Sequence, residues 1–205
     1  MVAIIDYNAG NIKSVMKAFN YIGEEAVCTR DFKEIQKADK VVLPGVGSFQ
    51  YAMNELKRFE LDKAIYDVVD RNVPFLGICL GLQLLFNGSD ENPDCEGLSL
   101  LDGYIYKIPE DNCLKVPHIG WNSLNLSNDG TLFNGIDNNS FVYFVHSYYL
   151  KANDPTIVKA SCDYGVTIHA SVEKDNIYAC QFHPEKSSSV GLKILKNFAE
   201  IGYAH

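Results

Sequence analysis

A cysteine flanked by glycines is the feature of this sequence best suited to covalent chemistry. Cys79 stands in residues 77–81 (Gly-Ile-Cys-Leu-Gly), between an apolar run typical of a buried strand and one typical of a helix. This is the G-x-nucleophile-x-G pattern, in which small residues permit the sharp turn that exposes a nucleophile. The positive end of the following helix would favour the thiolate, and the amide of Leu80 would face a developing oxyanion. The alternative is a buried structural cysteine beside two chance glycines.

A histidine and a glutamate near the end of the chain could complete this chemistry. His183 follows a predicted strand over residues 177–182, and Pro184 favours extended backbone at His183. Side chains two positions apart on an extended chain share a face, so Glu185 could orient one imidazole nitrogen while the other reaches the thiol. Alone, His-Pro-Glu would be a solvated strand end. Combined with the cysteine pattern, it predicts a hydrolytic Cys79–His183–Glu185 triad.

A third candidate element is a glycine-containing loop that follows an apolar strand. Gly45, Val46 and Gly47 come directly after residues 41–44 (Val-Val-Leu-Pro). The strand before them should be parallel to the one before Cys79, and parallel strands bring their carboxyl ends to one edge of a sheet. Backbone N–H groups of this loop could therefore bind a substrate oxygen. The alternative is a turn that starts the next helix.

Strands and helices alternate in the first half of the chain, which predicts a parallel sheet with helical crossovers. Strands are predicted over residues 2–6, 25–28, 40–43 and 74–79, with helices over 11–22 and over 49–72, the latter broken near Phe59. In the second half, strands are predicted over residues 103–108, 141–149, 156–162, 166–173 and 177–182, with a helix over 190–201. The whole predicts one α/β domain over residues 1–205, a central mostly parallel sheet flanked by helices with an antiparallel extension.

Composition excludes several classes of function. The chain has 205 residues, 47% hydrophobic and 21% charged, with a net charge of −8 and no basic cluster, so neither nucleic acid nor a membrane surface is an expected partner. No signal peptide or membrane-spanning run is recognisable, which predicts a cytoplasmic protein. No histidine set suggests a metal, and no cofactor is expected. Six cysteines lack CxxC spacing and are expected to be mostly buried thiols: Cys28, Cys79, Cys95, Cys113, Cys162 and Cys180.

These motifs match a known family. Residues 77–81 with Gln83, and the His183-Pro184-Glu185 segment, resemble the class I (triad) glutamine amidotransferases. Over essentially its whole length the chain is similar to the glutaminase subunits of imidazole glycerol phosphate synthases, which serve histidine biosynthesis. The narrower resemblance rests on residues 6–7 with 10–11, 44–47 (PGVG), 117–122 (PHIGWN), 143–148 (YFVHSY) and 181–187 (QFHPEKS). The chain departs from the family at Asn8 and Ser99, where glycine is common.

The resemblance implies a reaction and a set of roles. Cys79 would attack the carboxamide of glutamine, His183 would protonate the leaving ammonia, and the glutamyl thioester would be hydrolysed to glutamate. Gly45, Val46, Gly47 and Leu80 would form the oxyanion hole, with the loop contributing after a peptide reorients. The residues implied to line the glutamine pocket are Gln83, His146, Ser147 and Tyr148. Without the resemblance, His146 would be read as a satisfied core histidine, and His118 is ambiguous in the same way.

The resemblance also implies a partner. Ammonia would pass without release to a separate (β/α)8-barrel cyclase subunit, which makes imidazole glycerol phosphate and an aminoimidazole carboxamide ribotide. Asn11 and Trp121 would lie at the interface of this heterodimer, and glutaminase activity would be weak until the partner's ligand acts on the oxyanion loop. Trp121 could otherwise be a core anchor. Three alternatives remain open: a paralogue serving a surface-sugar or other synthase, a catalytically silent binding subunit, and a cysteine hydrolase acting alone.

Overall fold

The computed structural model describes residues 1–110, 114–127 and 129–202. Three of the predicted buried thiols are buried (Cys79, Cys162 and Cys180), whereas Cys95 is partly exposed and Cys28 is exposed. Cys113 lies outside the described residues. In the part of the chain that is described, no helix has the length and apolar character needed to cross a membrane.

Twelve strands and six helices are described. The strands are β1 (Val2–Ile5), β2 (Ala26–Thr29), β3 (Lys40–Gly45), β4 (Phe75–Cys79), β5 (Gly103–Lys107), β6 (His118–Ser123), β7 (Asn125–Leu126), β8 (Phe141–His146), β9 (Tyr148–Ala152), β10 (Val158–Asp163), β11 (Thr167–Lys174) and β12 (Ile177–Cys180). The helices are α1 (Ile12–Tyr21), α2 (Phe32–Lys37), α3 (Phe49–Arg58), α4 (Leu61–Asp70), α5 (Leu80–Leu84) and α6 (Ser188–Glu200).

An eight-stranded sheet in the order β2-β1-β3-β4-β12-β11-β10-β7 is the centre of the fold. The pairs from β2 to β12 are parallel, and β11, β10 and β7 extend the sheet in antiparallel fashion. The mostly parallel sheet with an antiparallel extension is therefore confirmed. The register places Gly45 opposite Cys79 and Ile78 opposite Cys180, so the carboxyl ends of β3, β4 and β12 meet at one edge.

Apolar side chains of the central strands alternate between two cores, as the period of two in a strand requires. On β3 and β4, Leu43 and Phe75 enter a core that includes side chains of α3 and α4. Val42 and Leu76 enter the other core, with side chains of α1 and α6. Burial on both faces explains why these strands are continuous apolar runs in the sequence.

Two of the differences from the predicted strand boundaries have a clear physical reason. The strand expected over residues 141–149 is two strands, because the chain leaves the pairing of β8 with β6 at Ser147 and then pairs β9 with β5. The strand expected to stop before Pro44 continues to Gly45. Proline is tolerated there because β1 pairs with β3 only as far as Val42, so the missing N–H of Pro44 breaks no ladder bond on that side.

Helix α5 packs backbone against backbone on the ends of β3 and β4. A Cβ atom on Gly81 would lie 1.9 Å from the Leu43 carbonyl oxygen, and one on Gly77 would lie 2.8 Å from the Gly81 carbonyl oxygen. The two glycines that bracket Cys79 are thus required by close packing as well as by the turn.

Gly81→Ala is therefore expected to destabilise the fold by more than about 3 kcal/mol, since the new methyl group meets backbone that cannot move aside. Gly23→Ala is the matched control: Gly23 has φ +90° but open space around it, so the cost should stay near about 1 kcal/mol. Denaturant unfolding measures both, and equal losses would contradict the close-packing explanation.

Candidate active site

Cys79 occupies a strained turn between β4 and α5. It caps the helix at φ 55° and ψ −111°, a conformation that costs a non-glycine residue of order 1–3 kcal/mol. Its residue surface is 6% exposed, and the first backbone N–H groups of α5 follow it directly. The sulfur is held at the surface of a cavity with helix N-terminal donors beside it, an arrangement suited to a nucleophile and an oxyanion.

His183 and Glu185 form a buried pair. Nδ1 of His183 lies 2.9 Å from Oε1 of Glu185, and both side chains are almost completely buried. The sequence argument for this contact was wrong in its geometry, because β12 ends at Cys180 and Glu185 lies in a 3-10 turn, Pro184–Lys186. The turn starting at Pro184 brings the carboxylate back beneath the imidazole, so the contact arises without a shared strand face.

Neighbouring backbone holds the His183 ring in place. The His183 N–H donates to the Tyr143 carbonyl at 2.9 Å, and the Tyr143 N–H donates to Oγ of Ser187 at 2.9 Å. The Ser187 hydroxyl in turn donates to the His183 carbonyl at 2.6 Å. These bonds fasten the end of β12 and its turn to β8.

The environment of His183 favours its protonated form. Burial alone would lower its pKa, but hydrogen bonding with Cys79 and Glu185 and the negative charges of both raise the pKa to about 9. Among the described residues Nε2 has no hydrogen bond of standard geometry, although it interacts electrostatically with the Cys79 sulfur. An imidazolium whose free nitrogen serves the sulfur can deliver a proton to a leaving group.

Cys79 and His183 line a cavity of about 320 Å³. Of the residues predicted for the site, it also brings together Val46, Gly47, Leu80, Gln83, His146, Ser147 and Tyr148. Gly45 and Glu185 are not on the wall. Sequence reasoning missed Glu91, Pro117 and Val145, which complete the lining. Glu91 lies in a stretch without periodic pattern; its carboxylate accepts the Phe49 N–H at 2.8 Å, so α3 fixes its position.

A buried amide pair connects the cavity floor to the sulfur. The Nε2 group of Gln83 donates to the Tyr148 carbonyl at 3.1 Å and to Oε1 of Gln181 at 3.0 Å. The Gln181 amide lies 3.7 Å from Sγ of Cys79, at hydrogen-bonding distance for sulfur. Gln181 was part of a recognised motif, but no role was assigned to it from sequence.

His146 is both a wall residue and a satisfied buried histidine. Its Nδ1 donates to the Tyr148 carbonyl at 2.8 Å, which leaves Nε2 to accept from Nδ1 of His118 at 3.0 Å. Burial lowers the pKa of His146 to about 3 and that of His118 to about 4, so both rings are neutral at neutral pH. They can position groups but cannot serve as acids there.

The predicted interface residues are both partly exposed. Trp121 lies on β6, opposite Tyr143 of β8, in a segment for which no strand was predicted. It is 52% exposed, with Ile119 at 59% and Phe141 at 57% on the same two-stranded ribbon. Asn11 stands at the start of α1, in the loop that leaves β1.

Both departures from the resembled family fall at left-handed backbone. Asn8 has φ 65° and Ser99 has φ 51°, a region that favours glycine. Asn8 offsets the strain with side-chain bonds, donating to Glu55 at 2.7 Å and accepting from Arg30 at 2.9 Å.

Comparison with known proteins places this site in context. The sequence matches the family described as Glutamine amidotransferase class-I over residues 3–201. It is 47% identical to the imidazole glycerol phosphate synthase subunit HisH of Caldanaerobacter subterraneus subsp. tengcongensis, over 98% of each chain. It is 48% identical to the subunit HisH 1 of Campylobacter jejuni, over 98% of this chain and 100% of the relative.

Solved structures agree on the fold. A crystal structure of a glutamine amidotransferase superposes with a TM-score of 0.76 at 16% identity, covering 98% of both chains. The structure of PurLQS from Thermotoga maritima gives a TM-score of 0.72 at 19% identity, covering 97% of both chains.

The pKa of His183 offers a direct test of its contact with Cys79. Cys79→Ala should lower this pKa from about 9 towards the ordinary value of 6.5, because the thiolate charge and its hydrogen bond are lost. NMR titration of the imidazole measures it, and Cys162→Ala, a buried cysteine away from the cavity, should leave it unchanged. A pKa that stays near 9 without Cys79 would show that His183 does not sense the sulfur.

Proposed function

The chain belongs to the class I glutamine amidotransferases, and on that premise we propose that it is the glutaminase subunit of an imidazole glycerol phosphate synthase. It hydrolyses glutamine to glutamate and ammonia for histidine biosynthesis. The observation that carries the proposal is Cys79 in a strained turn on the same cavity as His183, whose ring is fixed by Glu185. Near-complete alignment with synthase subunits at 47% and 48% identity supports the narrower assignment.

The geometry suits a two-step acyl transfer. The Cys79 thiolate attacks the carboxamide carbon of glutamine, and the amide of Leu80 with the oxyanion segment (residues 45–47) receives the negative oxygen. The His183 imidazolium gives its proton to the leaving nitrogen, which departs as ammonia. His183 then takes a proton from water as the water attacks the thioester, and collapse of the intermediate releases glutamate and restores the thiolate beside the imidazolium.

Recognition of glutamine needs partners for an ammonium and a carboxylate as well as for the side chain. Among the cavity-lining residues that the structure describes, Glu91 is the one carboxylate, and it is the natural partner for the α-ammonium group. Gln83 and the Ser147–Tyr148 backbone stand on the same wall and are assigned to the rest of the substrate. His146, neutral and doubly hydrogen-bonded, orients the Tyr148 carbonyl.

The assignment to a synthase subunit implies a partner, and we take it to be a separate (β/α)8-barrel cyclase that receives the ammonia. The exposed apolar ribbon face of Ile119, Trp121 and Phe141 is the best candidate for the docking surface of the heterodimer, and Asn11 is a second proposed contact. Val145, next on the ribbon, lines the cavity, so a partner seated there would lie close to the source of ammonia. A cytoplasmic location stays a prediction.

The alternatives differ in what they require. A catalytically silent subunit needs no intact triad, yet all three side chains are in place. A hydrolase acting alone leaves the apolar ribbon face unexplained. A paralogue serving another synthase would share the site, but the two relatives named above are subunits of imidazole glycerol phosphate synthase.

The proposal is tested by separating the two ammonia sources of the complex. Cys79→Ala, assembled with the cyclase from the same genome, should lose glutamine-dependent formation of imidazole glycerol phosphate by at least about 10³-fold. Turnover with added ammonium salt should persist, because the cyclase is intact. Cys162→Ala is the control and should keep both activities. Glutamine-dependent turnover that survives in Cys79→Ala would remove Cys79 as the nucleophile.

Trp121→Ala tests the docking surface. Loss of a central aromatic anchor typically costs about 2 kcal/mol or more, so the Kd for the cyclase should rise by about 30-fold. Tyr21→Ala is the matched control, since this exposed aromatic residue lies at the far end of α1 from Asn11. Calorimetric titration gives both values. Equal binding by wild type and Trp121→Ala would place the interface elsewhere.

A further inference from the structure

A tyrosine hydroxyl is buried behind the site without a partner. Tyr7 is completely buried just after β1, and among the described residues its hydroxyl makes no hydrogen bond. A buried hydroxyl in this condition is unfavourable, and such groups are few in folded proteins. Phenylalanine would fill the same space without that penalty, so the hydroxyl calls for a functional explanation.

The hydroxyl lies directly against the oxyanion segment. A Cβ atom on Gly45 would be 2.5 Å from the Tyr7 oxygen and 2.8 Å from Cβ of Leu80, so only glycine leaves room there. Val46 and Gly47 line the cavity, whereas Tyr7 does not. The Tyr7 hydroxyl therefore lies against Gly45, behind the wall of the cavity.

A planar trans peptide points its N–H and its C=O in opposite directions. Strand β3 is flanked by β4, which it pairs with as far as Gly45 and Cys79, and on its other side by β1, which Tyr7 follows. If the peptide between Gly45 and Val46 turned its N–H towards Cys79 and the cavity, its carbonyl oxygen would turn away from β4 to the side of β1 and the Tyr7 hydroxyl. In the structure that hydroxyl has no acceptor among the described residues, so this carbonyl does not point to it. The peptide has room to rotate, because Val46 is 41% exposed and nothing lies within 4 Å of a Cβ placed on Gly47.

Tyr7 keeps its proton under all ordinary conditions. Burial, and secondarily the nearby Cys79 charge, raise the pKa of Tyr7 well above its usual range. The hydroxyl is thus a permanent neutral donor, available to a carbonyl that arrives.

We propose that Tyr7 is a positioning residue for the oxyanion hole: its hydroxyl receives the Gly45 carbonyl when the Gly45–Val46 peptide turns its N–H towards the substrate. The inference rests on the proposed function, because it assigns a regulatory partner to the same oxyanion segment. The Tyr7 hydroxyl, which has no acceptor among the described residues, then gains one when the hole forms.

The first loop provides a route from the partner to the Gly45–Val46 peptide. A Cβ on Gly10 would lie 3.3 Å from the Pro44 carbonyl oxygen, so the loop touches the end of β3 at Pro44 as well as at Gly45. Asn11, assigned to the interface, is the next residue. A subunit that presses on Asn11 acts on a loop already packed against the peptide that precedes the one that must turn.

Tyr7→Phe in the complex with the cyclase is the test. Glutamate release is measured with and without imidazole glycerol phosphate, the stable product that occupies the cyclase. We expect the stimulated kcat to fall by about three- to tenfold with KM for glutamine unchanged, as for loss of one hydrogen bond formed in the active arrangement. The thermal midpoint should stay the same or rise, because the change removes an unsatisfied buried hydroxyl.

Tyr66→Phe is the matched control. Its hydroxyl donates to the Leu98 carbonyl at 2.9 Å, so this variant should lose stability and keep full stimulation. Alkylation of Cys79 by iodoacetamide, followed on its peptide by mass spectrometry, should proceed equally in wild type and Tyr7→Phe.

The outcomes that reject the role of Tyr7 differ from the outcome that rejects the proposed function. Full stimulated activity in Tyr7→Phe, a lowered thermal midpoint, or slower alkylation of Cys79 would each overturn the proposal, the last by showing that Tyr7 acts on the sulfur. Absence of glutaminase activity in the wild-type complex would instead reject the proposed function, so the two failures are distinguishable.

Discussion

The direct contact of backbone with backbone where α5 meets the ends of β3 and β4 is the constraint on which the site depends. Gly45, Gly77 and Gly81 have no side chains, and added Cβ atoms there would lie within 3 Å of neighbouring atoms. With the helix this close to the strand ends, the chain must turn within one residue, and that residue is Cys79, held at positive φ. The parallel pairing of β4 with β3 and with β12 holds Cys79 in this strained conformation. The same pairing places the turn after β12 next to the Cys79 sulfur.

The three buried histidines in and near the site differ in charge: His183 is protonated, whereas His146 and His118 are neutral. Their hydrogen-bond partners explain the difference. His183 faces the Cys79 sulfur and the Glu185 carboxylate, whose hydrogen bonds and negative charge outweigh the cost of burial and raise its pKa. His146 and His118 meet a carbonyl oxygen and each other, which offer no compensating charge, so burial lowers both pKa values. His183 is thus able to move protons, while His146 and His118 stay neutral and only His146 lines the cavity.

The sequence was informative where a pattern has one structural solution. Buried parallel strands, the glycine-bracketed Cys79 and the pairing of His183 with Glu185 follow from periodicity, close packing and chemistry. Features that depend on distant chain segments left no local sign. The break at Ser147 reflects a change of strand partner, and Glu91 reaches the cavity because α3 holds its carboxylate. The unsatisfied hydroxyl of Tyr7 becomes visible only when its neighbours are placed.

Asn8 bears on how the oxyanion segment can move. The side-chain amide of Asn8 donates to Glu55 of α3 and accepts from Arg30, which follows β2. The loop that carries Tyr7 and Asn11 is therefore held at two places, although the backbone of Asn8 has a conformation that favours glycine. A loop anchored on two sides cannot travel far towards β3. A partner that binds this loop can then displace it only slightly. A small displacement is enough to rotate the Gly45–Val46 peptide beside the Tyr7 hydroxyl, but not to rearrange the strand ends. Such a peptide has discrete orientations, and this is how a small displacement can become a change of state.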